Sequence, residues 1–443
     1  MPFARLAFAT ILIALAAASP ARAEKWVASW TASAHGPYPI GNPTAQPDLK
    51  FVFPAPEQGA RDMSFRLIVK PDVWGKSTRI RLSNVFGTKP VTFDGAFVGL
   101  QESGAAVVAG TSRPVTFKGK GSVTVAPGQS VVSDAVALPF VRTATDPLLK
   151  GRKLAVSFHV AGETGPMTWH AKALVTSYLT APGAGAKGGA AAETAFPFST
   201  TSWYFLDEVD MMAPDNTSVV VAFGDSITDG TMTTLNGDDR WSDVLSRRLH
   251  ARFGDAYAVV NQGIGGNRVA SPLDYAATKP VAGGPPAVLR LERDIVSLPG
   301  VKAVIWLEGI NDFGANGSVA DVVDGYTKGV AELRKKIPGV RILVGTLTTA
   351  LNSTIASHGR PEVDAKRKEL NAFFKSSKLF DGVVDFDAVA LDEKTGEMKA
   401  EIVPNTSVGG AGDKLHPNRY GYALMGQAID LDLIAGKKAA AAK

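Results

Sequence analysis

The residues best suited to chemistry are a serine near the middle of the chain and an aspartate–histidine pair near its end. Ser226 follows an apolar run in residues 218–224, and Asp413 and His416 lie three residues apart. A serine hydroxyl stays protonated at neutral pH, so it needs a base to become a nucleophile. Histidine, with an ordinary pKa of about 6.5, can accept that proton, and a carboxylate can orient the ring. These three residues are therefore the minimum parts for nucleophilic attack on an acyl group.

Two further polar loops follow apolar runs. Residues 261–267 read Asn-Gln-Gly-Ile-Gly-Gly-Asn and residues 308–312 read Glu-Gly-Ile-Asn-Asp. Strand, loop and helix alternate from residue 218 onwards, which is typical of a parallel sheet with helices on both faces. Ligands bind such sheets at the carboxyl ends of the strands. We therefore expect these loops to meet Ser226 and His416 at one rim.

These four segments, in this order, resemble the four signature blocks of the SGNH hydrolases, also called the GDSL esterase/lipase family. The resemblance covers about half of the chain, residues 218–435, and is to secreted bacterial members whose hydrolase domain follows a β-rich region. It implies a flavodoxin-like three-layer α/β/α domain that needs no cofactor. It also implies that Ser226 is the nucleophile, His416 the general base and Asp413 the residue that orients it.

The resemblance also assigns three donors for a developing oxyanion. They are the backbone amide of Ser226, the backbone amide of Gly266 and the side chain of Asn311. Gly263 and Gly265 lie in the same loop and could serve its turn instead. The order of the block favours Gly266. A glycine amide permits close approach, and an asparagine amide donates without carrying charge.

Several alternative chemistries do not fit the residues present. Thr228 stands where the nucleophile elbow of the α/β-hydrolases requires glycine. Arg268 stands where a dinucleotide loop requires its third glycine. The absence of cysteine from the sequence excludes disulfides and thiolate nucleophiles, and no His and carboxylate cluster has metal-ligand spacing. The net charge of +5 forms no basic stripe, so nucleic acid is not an expected partner.

The other histidines lack the acid found three residues before His416. They are His35, His159, His170, His250 and His358. His159 lies in an alternating, strand-like run and His250 in an arginine-rich helical run, so we expect structural or surface roles for those two.

The chain divides into segments of different character. Residues 1–23 combine Arg5, an apolar run and a small-residue cleavage site, as a secretory signal does, and the run is short for a membrane span. Residues 78–84 and 122–125 alternate polar and apolar side chains, as strands of a sandwich do. The predicted organisation is a signal peptide at 1–23, a jelly-roll-like β-sandwich at 24–205, a linker at 206–217, the hydrolase domain at 218–436 and a frayed tail at 437–443.

Together these features predict a secreted or periplasmic serine carboxylic-ester hydrolase that acts through an acyl-enzyme. The expected substrates are small-molecule or polysaccharide esters, with carbohydrate deacetylation first, and we expect no stable membrane insertion. A lipase or lysophospholipase is the alternative. A non-catalytic glycan-binding envelope protein is the alternative of another class, and retention of Ser226, Asp413 and His416 argues against it. The active site is predicted to lie on the second domain alone.

Overall fold

The computed structural model describes residues 23–436. The predicted signal peptide, apart from Ala23, and the predicted tail lie outside these residues. Within the described range, none of the helices has the length and apolar character needed to cross a bilayer.

The first domain is built from short strands. In chain order they are β1 (Glu24–Thr31), β2 (Gly36–Pro37), β3 (Arg61–Val69), β4 (Ser77–Ser83), β5 (Val91–Leu100), β6 (Arg113–Pro114), β7 (Ser122–Val125), β8 (Ser130–Val132), β9 (Val136–Ala137), β10 (Leu154–Glu163), β11 (Thr168–His170), β12 (Ser177–Leu179), β13 (Phe198–Thr200), β14 (Trp203–Tyr204) and β15 (Leu206–Pro214). Two 3-10 turns, Pro147–Leu149 and Glu193–Ala195, complete it.

These strands form two main antiparallel sheets that enclose a common core. One sheet has the order β1-β15-β4-β8, with β9 paired to β4, and the other has the order β13-β12-β3-β10-β5-β6, with β7 paired to β5. Strands β14, β11 and β2 form a small third sheet. The core includes the rings of Phe65, Phe93 and Phe158, which pack on one another. The predicted β-sandwich is therefore confirmed.

The segment predicted as a linker, residues 206–217, is mostly a strand. β15 lies between β1 and β4 and pairs with both. The acidic side chains of this segment are buried and paired. Arg81 donates to Asp207 at 2.7 Å and also pairs with Glu208, and Arg79 donates to Asp210 at 2.6 Å. A charge that is paired inside the sheet can be buried, which composition alone does not reveal.

The second domain alternates strands and helices. Its strands are β16 (Ser218–Gly224), β17 (Tyr257–Gly263), β18 (Val301–Leu307), β19 (Arg341–Gly345) and β20 (Gly382–Val384). Its helices are α1 (Ser226–Asp229), α2 (Trp241–Phe253), α3 (Ala287–Leu291), α4 (Ile310–Gly314), α5 (Val319–Lys336), α6 (Pro361–Ser376), α7 (Phe386–Ala390), α8 (Arg419–Ala428) and α9 (Leu431–Ala435), with short helical turns at Gly254–Ala256, Glu292–Val296 and Ala400–Ile402.

The five strands of this domain are parallel and follow the order β17-β16-β18-β19-β20. Counted within the domain, that is the flavodoxin-like order 2-1-3-4-5, so the predicted α/β/α fold is confirmed. The central strands are apolar throughout because helices cover both faces. The order reverses beside β16, and a crevice at such a switch point is where this class of sheet binds ligands.

The two domains share a continuous interface. Val27, Ala28 and Ala213 of the first domain are buried in the core of the second. Polar bonds accompany this packing: the Ala28 amide donates to the Pro299 carbonyl at 3.0 Å, and the Thr31 hydroxyl donates to the Asn261 carbonyl at 3.0 Å. Removing the first domain would therefore expose apolar surface of the second.

Candidate active site

Ser226 lies at the junction between the central strand β16 and the short helix α1. Gly224 is required there, because a β-carbon at that position would come within 2.1 Å of the Leu307 carbonyl oxygen. Asp225 caps the helix by accepting a hydrogen bond from the Ile227 amide at 2.9 Å. Within residues 23–436 the Ser226 amide donates to no acceptor. The strand end thus presents a serine hydroxyl together with an unused N–H.

A chain of hydrogen bonds joins Ser226, His416 and Asp413. The Ser226 Oγ lies 2.8 Å from His416 Nε2, and His416 Nδ1 lies 2.7 Å from Asp413 Oδ2. Since a carboxylate accepts, the ring proton belongs on Nδ1, and Nε2 is left to accept from the serine. The structure therefore brings together the three residues that the sequence singled out, in the tautomer that proton transfer from serine requires.

The turn that carries Asp413 and His416 also fixes the carboxylate. Asp413 Oδ1 accepts from the backbone amides of Leu415 and His416, each at 2.9 Å, which leaves Oδ2 for the imidazole. Burial alone would raise the pKa of Asp413. The hydrogen bonds from the His416 ring and the two amides outweigh it and lower that pKa below its usual value. Asp413 is thus held as an anion beside the ring.

The glycine-rich loop after β17 offers one unused backbone donor. The Gly263 amide donates to Asn261 Oδ1 at 2.8 Å, and the Gly265 amide donates to Asp229 Oδ2 at 3.0 Å. The Gly266 amide has no acceptor among the described residues, and its φ of +84° favours glycine. Of the three glycines that the sequence left open, Gly266 is therefore the one free to donate.

The side-chain amide of Asn311 is fixed in orientation at the start of α4. Its Nδ2 donates to the Asn267 carbonyl at 2.9 Å, and its Oδ1 lies 3.0 Å from His358 Nε2. Since an amide oxygen only accepts, His358 Nε2 carries the proton and donates to Asn311, and the Ser357 hydroxyl, 2.9 Å from Nδ1, donates to the ring. These bonds leave one hydrogen of Asn311 Nδ2 available.

His358 is held neutral at this position. Its pKa is lowered to about 4, first by burial and then by the nearby His416. A β-carbon on Gly314 would come within 2.8 Å of the His358 ring, so the ring packs where α4 has no side chain. Sequence reasoning missed this contact because His358 lies 47 residues from Asn311 in a loop without a motif.

Arg290 ties the strand ends of the site to one another. Its guanidinium donates to the carbonyls of Gly224 and Gln262, both at 2.8 Å, and to Asn267 Oδ1 at 2.8 Å. It also pairs with Asp294 at 3.0 Å. Because Arg290 is fully buried, each of these hydrogen bonds is electrostatically stronger than it would be in water. Arg290 thereby fixes the serine strand relative to the glycine loop.

The first domain contacts the residues at the end of α1, beside the site. His170 Nε2 lies 3.1 Å from Asp229 Oδ1, at the end of α1. Lys172 is buried and donates to the Thr231 hydroxyl at 2.9 Å. Ser226, Asp413 and His416 all belong to the second domain, and the first domain adds supporting contacts through His170 and Lys172.

A cavity of about 410 Å³ contains both Gly266 and Asn311 in its lining. The polar side chains around it are Asn42, Arg268, Ser271, Asn311, Ser357 and His358, and the larger apolar ones are Pro272 and Val281. Glycine and alanine make up the remainder. Asn42, which comes from the first domain, donates to the Gly265 carbonyl at 3.4 Å. The cavity is therefore lined mainly by small residues, with several hydrogen-bonding side chains among them.

The part of the chain that the structure describes contains no group of three or more His, Asp or Glu side chains arranged to hold a metal ion.

Residues 222–424 match the family model described as GDSL-like lipase/acylhydrolase. These residues form a GDSL-like lipase/acylhydrolase domain. The predicted family is thereby confirmed, and the domain holds all four of the segments that suggested it.

Solved structures similar to the GDSL domain include three esterases. A carbohydrate acetylesterase from Sinorhizobium meliloti is 18% identical over 50% of this chain and 99% of its own, with a TM-score of 0.38. An inhibitor-bound aryl esterase from M. smegmatis is 17% identical over 48% of this chain and 96% of its own, with a TM-score of 0.37. An acetyl xylan esterase is 18% identical over 47% of this chain and 96% of its own, with a TM-score of 0.35. No curated protein sequence matches the chain.

Proposed function

We propose that the protein is a serine esterase in which Ser226, His416 and Asp413 form the catalytic triad. The observation that carries this proposal is the unbroken path of two hydrogen bonds, 2.8 Å and 2.7 Å long, from the serine hydroxyl to the half-buried Asp413 carboxylate. The nucleophile, the base and the orienting acid are already within hydrogen-bond reach, which is the geometric requirement for this chemistry.

In the proposed reaction, Ser226 Oγ attacks the acyl carbon while His416 Nε2 takes its proton. The oxyanion that forms is stabilised by the Ser226 and Gly266 amides and by Asn311 Nδ2. His416 then returns the proton to the leaving alcohol, and an acyl-enzyme remains. Water, deprotonated by the same imidazole, attacks the acyl carbon, and Ser226 leaves with its proton restored.

The cavity favours short acyl groups on polar alcohols. Of its lining residues, only Pro272 and Val281 offer larger apolar surface, whereas Asn42, Ser271 and Ser357 offer hydrogen-bonding groups. A long acyl chain would gain little from such walls, because hydrophobic stabilisation scales with the apolar area that is buried. We therefore propose acetyl esters of carbohydrates as the substrate class.

A panel of esters tests the proposal. Purified protein is assayed on p-nitrophenyl acetate, butyrate, octanoate and palmitate, and acetate release is measured from acetylated xylan. We expect kcat/KM to fall as the acyl chain lengthens and acetate to be released from the polysaccharide. A preference for palmitate would support the lipase alternative, and failure to cleave any ester would overturn the proposed activity.

Export is the second part of the proposal and rests on residues 1–23 of the sequence. We expect the mature protein recovered from the periplasm or medium to begin at Glu24, because Ala21 and Ala23 occupy the positions that signal peptidase reads. N-terminal sequencing of the recovered protein measures this directly. Retention of the intact leader in the cytoplasm would contradict it.

We propose that His358 is a positioning residue that acts through Asn311. Replacement by alanine removes the donor that holds Asn311 Oδ1, so the amide can rotate away from the oxyanion. We expect kcat to fall about tenfold, the size of one neutral hydrogen bond, with little change in KM. His358→Gln should recover part of the loss, since its side-chain amide can also donate.

The double variant His358→Ala/Asn311→Ala separates this role from general damage. If His358 acts through Asn311, the loss in the double variant should equal that of Asn311→Ala alone. Losses that simply multiply would show that His358 contributes independently. Circular dichroism and thermal unfolding of each variant check that the fold is retained.

A further inference from the structure

Arg268 is the one side chain in the lining of the 410 Å³ cavity that carries a full charge at neutral pH. It lies two residues after Gly266, in the loop that supplies the proposed oxyanion donor. The other titratable side chain of the lining is His358, whose pKa of about 4 keeps it uncharged. No aspartate or glutamate belongs to the lining. The cavity lining therefore has a positive charge and no carboxylate, although the Asp312 carboxylate outside the lining interacts electrostatically with Arg268.

The backbone around Arg268 is held in place. Its carbonyl accepts from the Ala287 amide at 2.8 Å, and the next two amides, of Val269 and Ala270, donate to the Asp312 carboxylate at 2.8 and 3.1 Å. Asp312 thus uses both of its oxygens on backbone groups. In contrast, the Arg268 guanidinium makes no hydrogen bond and no ion pair anywhere in residues 23–436, although the side chain is half-buried.

Of the four arginines buried within residues 23–436, three have anionic partners, and the fourth, Arg66, donates to the Ser157 hydroxyl and to backbone carbonyls. Arg81 pairs with Asp207, Arg290 with Asp294, and Arg367 with Asp364. A guanidinium loses hydration on burial and recovers that loss from hydrogen-bond acceptors, most strongly from a carboxylate or phosphate. An unpaired guanidinium on the wall of a ligand cavity has five donors ready for an anion brought by the ligand.

We propose that Arg268 binds an anionic group, such as a carboxylate, carried by the ester substrate. This inference rests on the proposed esterase function and specifies the class of substrate within it. The anion can belong to the alcohol, as in an acetylated uronic acid, or to the acyl group, as in a monoester of a dicarboxylic acid. Both present the same chemistry to the guanidinium, and the experiment separates them.

The test uses two pairs of substrates that differ in charge. One pair is the acetyl esters of methyl glucoside and of methyl glucuronide, which places the carboxylate on the alcohol. The other is p-nitrophenyl butyrate and p-nitrophenyl hydrogen succinate, which places it on the acyl group. The measured quantity is the ratio of kcat/KM for the anionic member to that for the neutral member.

The wild-type ratio should exceed one for at least one pair. In Arg268→Gln that ratio should fall by roughly 10- to 100-fold, the range of a lost charge-assisted hydrogen bond. The ratio for Arg268→Lys, which keeps the positive charge but not the planar guanidinium, should lie between those of the wild type and Arg268→Gln. Arg142→Gln is the matched control. Arg142 is an exposed arginine of the first domain, outside the cavity lining, and its replacement should leave both ratios unchanged.

The outcomes distinguish this inference from the proposed function. If the neutral esters are cleaved but neither ratio changes in Arg268→Gln, the anionic subsite is overturned while the esterase proposal stands. If the wild-type protein cleaves none of the four substrates, the esterase proposal itself fails. Whichever pair responds shows whether the anion belongs to the alcohol or to the acyl group.

Discussion

Replacement of Ser226 by alanine should abolish ester cleavage while leaving the fold intact. Loss of a triad serine commonly lowers kcat by about four to six decades. The hydroxyl makes one hydrogen bond, to His416 Nε2, and the serine is 4% exposed, so its removal creates no large cavity. The measurement is kcat on p-nitrophenyl acetate, with thermal unfolding as a check on folding.

Ser246→Ala is the matched control for this variant. Ser246 is also a buried serine of the second domain with one side-chain partner, Asp72, and it lies on α2 away from the triad. The control should retain turnover. Near-normal activity in Ser226→Ala would show that another residue is the nucleophile. Mass spectrometry of protein quenched during turnover should find the acyl group on the peptide that contains Ser226.

Replacement of Asn311 by alanine should lower kcat by about 10²- to 10³-fold with a much smaller effect on KM. The amide donor is needed most where negative charge develops, and that charge exists in the transition state rather than in the bound ester. Asn311→Asp should be at least as impaired, since it replaces a donor by an acceptor beside the same oxyanion. Asn216→Ala, at an exposed asparagine between β15 and β16, is the control.

The division between kcat and KM decides what Asn311 does. If Asn311→Ala raises KM and leaves kcat unchanged, the amide positions substrate in the ground state and the oxyanion assignment is wrong. The inhibition constant of a phosphonate that mimics the tetrahedral intermediate gives a second readout. It should rise in proportion to the loss in kcat/KM.

The parts of this site that could be predicted from the sequence are those determined by residues close together in the chain. Ser226 ends a buried strand, and Asp413 and His416 share one turn, so each could be located from its neighbours. The parallel sheet with helices on both faces followed from apolar runs that alternate with helical periodicity, whereas its flavodoxin-like order was implied by the family resemblance. In a parallel sheet, such runs place the loops after them at one rim. The resemblance to the SGNH hydrolases then supplied the expected catalytic role of each of these residues.

The parts that could not be predicted depend on contacts between distant residues. Gly266 could be separated from Gly263 and Gly265 only once their amides were seen to have other acceptors. His358 and Arg268 owe their significance to a cavity wall assembled from several loops. The linker prediction failed because the partners of its acids, Arg79 and Arg81, lie more than a hundred residues earlier in the chain.

The pairing of β1 with β15 constrains the order of folding. Glu24 lies opposite Pro214, so the first sheet joins the two ends of its own domain, and β16 follows almost immediately. Contacts so distant along the chain form slowly, because a long loop must close before they are made. During synthesis the sandwich cannot close until its last strand has emerged, and the strand that carries the serine emerges next. We therefore expect the two domains to fold together. Chaperones should bind the incomplete first domain until β15 has been synthesised.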